Sequence, residues 1–211
     1  MRRWGAIVAA GLALSCAVAP ASAAVVVFQD TFGFDQSGFK SVFLPKWGGP
    51  NPITGVSLQF VGETNKFVDV FAGDEPTTLP EEPVSWTVAL QGPAVDDGLG
   101  GITFQLLGDF VVNTAFPPID LPGNPGEQVT RITPVIPFTI DAVDTRLDLY
   151  MGLGENEFVI TWDPDAFTQT RGALKLFIEV APIPEPGTWA LMILGFGATG
   201  AALRRRKAVA A

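Results

Sequence analysis

Pro184-Glu185-Pro186 is the stretch of this chain best suited to being acted upon. Its two prolines hold Glu185 in extended backbone and remove amide donors, the form that processing enzymes grip. The other groups able to do chemistry are carboxylates. Asp163 and Asp165, beside Glu155 and Glu157 in sequence, could offer calcium the oxygen ligands it prefers. The same residues also make an acidic turn after a strand, and no EF-hand or glycine-aspartate repeat accompanies them. Asp96-Asp97-Gly98 reads as a turn first and a cation ligand second. Apart from calcium, no cofactor is expected. A glycan hydrolase would need two carboxylates facing each other across roughly 5–9.5 Å, and nothing in the spacing selects such a pair. Trp47, Trp86 and Trp162 could stack on sugar rings. Trp86 lies on an apolar strand face and reads as core, which leaves Trp47, in a Gly-Pro loop, as the accessible ligand contact.

The absences are as informative. The chain has no histidine and one cysteine, Cys16, close to the N-terminus. Ser-His-Asp and Cys-His catalysis, His or Cys zinc sites and haem ligation by those residues are therefore excluded from the body of the chain. Residues 24–183 hold 21 Asp and Glu against 7 Lys and Arg, a formal charge of −14. Nucleic acid and anionic lipid need clustered cations, so neither is an expected partner of this stretch. The body is read as no enzyme.

The two ends explain how such a body is positioned. Arg2 and Arg3 precede an apolar run from Trp4 to Val18, Pro20 breaks it, and Ala21-Ser22-Ala23 supplies small residues. That order is a secretory signal peptide over residues 1–23, cut by signal peptidase between Ala23 and Ala24. The run is short for a membrane span and lacks a basic stop on its far side. Twin-arginine export through Arg2-Arg3 and lipidation at Cys16 are variants with incomplete patterns around them. At the other end an apolar block reaches Leu203, and Arg204, Arg205, Arg206 and Lys207 close it. Gly187 to Leu203 is 17 residues, as a helix about 25 Å long, at the lower limit for a bilayer. A transmembrane helix over 187–203 is thus expected, with the basic stop 204–207 inside and all before Pro184 outside.

The string from Pro184 to Lys207 resembles the PEP-CTERM sorting signal, in the variant with Trp189-Ala190 three places after the second proline. Tripeptide, Trp-Ala pair, glycine-containing apolar helix and basic stop occur in the family's order. The resemblance implies recognition by an exosortase-type transpeptidase near Pro184, Glu185 and Pro186. It also implies passage through a membrane-anchored intermediate to the surface, or the exopolysaccharide, of a Gram-negative bacterium. A plain membrane anchor that is never cut is the alternative.

Between the ends, 160 residues suffice for one domain with a core. Val84–Leu90 alternates with its large apolar residues on one face. Val56, Leu58 and Phe60 form a second such stripe, and Leu174, Leu176, Ile178 and Val180 a third. Further strands are predicted over 25–29, 39–44, 67–71, 101–107, 134–140, 146–150 and 157–162. Gly, Pro, Asn and Asp bound most of them. With no sustained helical period and no internal repeat, the fold class is all-β, an antiparallel β-sandwich over residues 24–183. Residues 73–83 and 117–126 read as loops. Phe39 to Trp47, followed by Thr54-Gly55-Val56-Ser57-Leu58, is similar to the opening of choice-of-anchor E domains. Here Trp47 replaces a phenylalanine, and Gly48-Gly49-Pro50-Asn51-Pro52 replaces an Asp-Pro-Ser-Leu-Gly turn. That likeness implies an extracellular β domain of unassigned activity. The expected role is structural or adhesive, in a matrix where extracellular polysaccharide is the partner. A carbohydrate-binding module is the alternative, followed by a glycan hydrolase and by an ice-binding protein. Related tails occur on some ice-binding proteins, although no threonine ladder is present here.

Overall fold

The computed structural model describes residues 23–163, 167–182, 190 and 192–200. Ala23–Ala181 forms one compact unit. Its first strands are β1 (Ala24–Asp35), β2 (Phe39–Pro45), β3 (Ile53–Phe71), β4 (Thr77–Leu79) and β5 (Glu82–Gln91). There follow β6 (Val95–Asp96), β7 (Ile102–Thr103), β8 (Leu106–Phe116) and β9 (Ile119–Leu121). The last are β10 (Gln128–Ile132), β11 (Ile136–Val143), β12 (Glu155–Thr161) and β13 (Thr168–Val180), with a 3₁₀ turn at Leu147–Tyr150.

Every strand pair is antiparallel among the described residues. One sheet runs β1-β13-β3, and the far side of β3 carries β11 and then β10 along its length. The other runs β2-β12-β5-β8. Alternation decides what lies between them. Leu58, Phe60, Leu174, Leu176 and Ile178 from the first sheet share one buried cluster with Val42, Leu44, Val88, Leu90, Phe158 and Ile160 from the second. Each fully buried side chain of this size contributes about 1.5–3 kcal/mol, so the stripes legible in the sequence are what hold the two layers together.

One row across the first sheet departs from simple alternation. Phe32, Gly172, Gly62 and Phe138 are successive cross-strand partners on β1, β13, β3 and β11. A Cβ on Gly172 would lie 2.5 Å from the Phe60 ring and 2.6 Å from the Val61 carbonyl oxygen. A Cβ on Gly62 would lie 2.7 Å from the Arg171 carbonyl oxygen. The missing side chains are replaced by rings: Phe60 stacks on Phe32 at 5.9 Å and meets Phe138 edge-on at 5.4 Å. At the end of the core, the Thr64 hydroxyl accepts from Trp86 Nε1 (3.1 Å) and Thr170 Oγ1 (3.0 Å) and donates to the Gln169 carbonyl (3.0 Å). That exhausts a hydroxyl's capacity and makes its burial tolerable.

Several expected elements are corrected. Residues 146–150 form no strand: Asp144 accepts from the backbone N–H of Arg146 at 2.9 Å, and the chain tightens into the 3₁₀ turn. The stripe at 56–60 and the strand at 67–71 are one strand, because β13 pairs with its first part, β11 with its middle and β10 with its end. Only Ile102–Thr103 and the start of β8 fall in the predicted strand 101–107, and β8 runs on to Phe116. Inside the expected loops, Thr77–Leu79 and Ile119–Leu121 pair as a small ribbon. The backbone of Val61 confines Gly172, so no rotamer change can relieve a clash there. Gly172→Ala should lower stability by about 1–3 kcal/mol, as overpacking does, read as a fall in the urea midpoint at constant slope.

Candidate functional site

The tail leaves the body from β13, and the loop after β2 grips the point of departure. Trp47 is half-buried against the core. Its backbone N–H donates to the Tyr150 carbonyl (2.7 Å) and its carbonyl accepts from Gly152 N–H (3.0 Å). Its indole Nε1 donates to the Asn51 carbonyl (2.9 Å). The ring covers Gly49 so closely that a Cβ there would lie 2.1 Å from it. Asn51 Nδ2 in turn donates to the Ala181 carbonyl (3.1 Å), and Ala181 N–H donates to the Pro52 carbonyl (2.9 Å). Trp47, Asn51 and Pro52 therefore clamp residue 181, three positions before Pro184. Ala24, exposed Ala23 behind it, is the cross-strand partner of Val180. Ala24 and Val180, and with them the point where the chain passes into residues 182–207, thus belong to one end of the β1–β13 pair.

Pro184, Glu185, Pro186 and Trp189 lie outside the described residues, as do the basic stop Arg204, Arg205, Arg206 and Lys207 and residues 1–22. Ala190 and residues 192–200 are helical, and all their side chains are exposed. Met192, Ile193, Leu194 and Phe196 give this helix an apolar surface, and the Thr199 hydroxyl is satisfied within it by the Gly195 carbonyl at 2.8 Å. No helix among the described residues is long and apolar enough to cross a membrane. Of the expected transmembrane helix over 187–203, the described residues are 190 and 192–200, and residues 192–200 rise about 14 Å, against about 30 Å of hydrocarbon; the rest of that span lies outside the described residues.

The order of residues in this tail has a counterpart. Residues 182–207 match the family model of the PEP-CTERM protein-sorting motif. The tail is a PEP-CTERM sorting segment. A PEP-CTERM motif implies an exosortase-type sorting system and delivery to the surface or beyond. No curated protein matches the chain. Among solved structures, one of infectious bursal virus-derived T=1 particles aligns with 81% of this chain and 47% of its own at 12% identity. Its TM-score is 0.15, too low to bear on fold or role.

The remaining sequence-predicted residues are dispersed. Asp163 Oδ2 pairs with Lys66 Nζ at 2.9 Å, while Asp165 lies outside the described residues. Among the described residues no group of three Asp or Glu could hold a metal ion. Asp96 and Asp97 close a turn, accepting from Gly98, Leu99 and Gly101 N–H at 2.8–2.9 Å. Those bonds hold the Asp97 carboxyl below its ordinary range. Trp86 and Trp162 are both core.

Sequence reasoning missed Asp144, Arg146 and Tyr150. The buried Asp144 carboxylate accepts from Arg146 Nε (2.9 Å) and Nη2 (2.7 Å) and from the Tyr150 hydroxyl (2.8 Å). Burial opposes its ionisation, but the bonds from Arg146 and Tyr150 prevail and keep its pKa below the ordinary value. Tyr150 moves the other way: burial, then its bond to Asp144, pushes the phenol far up. The spacing Asp-x-Arg was the available signal, with Arg146 and Tyr150 absorbed into what read as a strand. Beside this cluster, a cavity of about 300 Å³ opens between the β6–β7 hairpin and the 3₁₀ turn. A wider groove of about 680 Å³ lies over the Gly62–Gly172 row, crossed by the Arg171–Glu63 ion pair.

Two outcomes follow from these contacts. Asn51→Ala should free the neck, seen as faster hydrogen exchange at Ala181 N–H with β5 amides unchanged. Equal protection of Ala181 in both proteins would contradict the clamp. Asp144, with its lowered pKa, supports the fold above about pH 4 and ceases to as pH falls through its folded value. Tyr150, with its raised pKa, supports the fold below about pH 10, and that support is lost as pH rises further. Urea unfolding should therefore show wild type losing stability more steeply than Tyr150→Phe above that pH. Tyr150 is the chain's only tyrosine, so tyrosinate absorbance reports the same event.

Proposed function

We propose that this chain is a non-enzymatic protein of the cell surface or extracellular polysaccharide matrix. An exosortase-type transpeptidase releases it there from a membrane-held intermediate. The PEP-CTERM match over residues 182–207, two residues after the last strand ends at Val180, carries the reading. Signal peptidase cuts between Ala23 and Ala24. The tail then holds the body outside an inner membrane, with the apolar stretch within 187–203 in lipid and residues 204–207 on the inner side. The host is a Gram-negative bacterium. Recognition at Pro184, Glu185 and Pro186 transfers the body to its final location, where its role is structural or adhesive and extracellular polysaccharide is the partner.

Three observations support the parts of this reading. Trp47 and Asn51 fix the end of the body at Ala181, and the tripeptide begins three positions later in the sequence. The helix at 192–200 carries Met192, Ile193, Leu194 and Phe196, an apolar surface suited to an apolar environment. Without histidine, and with its only cysteine in the signal segment, the body lacks the residues of the commonest hydrolytic machineries.

Cells carrying wild type or Glu185→Ala, fractionated and analysed by mass spectrometry of the termini, test this directly. Wild type should begin at Ala24, end near residues 184–186 and occur in the surface or matrix fraction. Glu185→Ala should keep its tail and stay in the inner membrane. An uncut wild-type chain in the cytosol would sink the proposal.

A further inference from the structure

We propose that the cavity between the β6–β7 hairpin and the 3₁₀ turn is a binding site for a neutral sugar of a surface or matrix glycan. Polar side chains of Thr103, Gln105, Arg146 and Asp148 line it, with apolar surface from Phe104 and Leu149. Its volume of about 300 Å³ is at the lower end of the range for small-molecule sites, about 300–1,000 Å³. This mixture fits a sugar: donors and acceptors for hydroxyls, and an apolar patch for the C–H face of a ring.

Arg146 is the fixed point. Its Nε and Nη2 are held by the buried Asp144 carboxylate, which Tyr150 braces from the other side. The guanidinium lies directly over Gly92, where a Cβ would be only 2.6 Å from Nη2. Among the described residues Nη1 donates to no protein acceptor, and the side chain is 27% exposed. The cation is thus locked in place with donors to spare, so little ordering is required when a ligand arrives. The far wall is fixed by backbone: Gly92 N–H donates to the Gln105 carbonyl at 2.7 Å, and Val95 pairs with Thr103. Gln105 and Asp148 are exposed and make no side-chain hydrogen bond within the described residues, leaving an amide and a carboxylate for hydroxyl partners.

Charge selects the class of sugar. Asp144 already neutralises Arg146, and Asp148 adds a second carboxylate close enough to act electrostatically on the guanidinium. The immediate surroundings therefore carry a net negative charge, within a body whose formal charge is −14 from 21 acids and 7 bases. A uronate or sulfated sugar is repelled, while a neutral hexose meets no such penalty. A lone Asp148 carboxylate is too few oxygens for calcium.

The site refines the polysaccharide-partner part of the proposed function, and its failure is separable from failure of the sorting reading. The test is an array of neutral and uronate-containing oligosaccharides probed with the full chain in detergent, followed by calorimetry. Wild type should bind neutral oligosaccharides. Gln105→Ala and Asp148→Ala, both at exposed positions, should each weaken binding about tenfold, equivalent to about 1.4 kcal/mol, with melting temperature unchanged. Asp148→Asn should keep neutral binding and gain uronate binding. No bound neutral oligosaccharide, stronger binding of uronates by wild type, or affinity unmoved in both alanine variants would overturn the proposal. In those cases, surface delivery that still depends on Glu185 would leave the sorting reading standing.

Discussion

The pairing of β13 with both β1 and β3 is the constraint on which the body depends. β13 is the last strand of the chain, yet it sits between the first strand and the longest one. Its inward residues Leu174, Leu176 and Ile178 are fully buried. The sheet therefore cannot be complete until residue 180 is available, and its decisive contacts join residues far apart in sequence. Such non-local closure is slow relative to helix or hairpin formation. Once β13 docks, Ala24 and Val180 are locked together, and the clamp from Trp47 and Asn51 completes the end from which the tail emerges.

How much of this was legible depends on where the determining partners lie. Strands β5 and β13 could be read directly, because alternation over seven residues or more leaves one face apolar whatever the rest of the chain does. Leu147 and Leu149 mimic that alternation, but the buried Asp144 carboxylate, outside the run, draws in the Arg146 N–H and guanidinium and the Tyr150 hydroxyl, and the stretch between forms a 3₁₀ turn. Strand β8 was obscured by Gly108 and Asp109. The glycine is there because Ile140 of β11 approaches to 2.8 Å of where its Cβ would stand, a contact between strands that no local pattern encodes. The sorting tail was legible for the opposite reason: its information is the order of residue types along a short segment read by an enzyme. Trp47 belongs to the first kind. Its Gly-Pro setting suggested exposure, whereas Gly49 is what allows the ring to fold back and Asn51 is what uses its N–H.

Scarcity of cations shapes the rest. Of the seven Lys and Arg in residues 24–183, five are committed to carboxylates: Lys40, Lys66, Arg131, Arg146 and Arg171. Arg131 is the extreme case. It is almost wholly buried, bonded to Glu82 and to the carbonyls of Pro80, Phe116 and Pro117, with its guanidinium over the Phe116 ring at 5.3 Å. It serves to tie β10 to the end of β8 and the start of β5. A cation so placed is lost to recognition, because removing it from its partners would leave buried acceptors unsatisfied.

The consequence is a surface on which carboxylates far outnumber available positive groups. A polyanion approaching such a body meets repulsion at long range and finds almost no free lysine or arginine at short range. That argues against acidic polysaccharide and phosphate-bearing polymers as direct ligands, independently of any particular pocket. It leaves contacts made through hydroxyls, amides and apolar faces, which act at close range and are insensitive to net charge. The same repulsion keeps copies of the body apart in solution. A body of this charge stays dispersed unless something specific holds it, and the contacts open to it are the close-range ones that charge does not oppose.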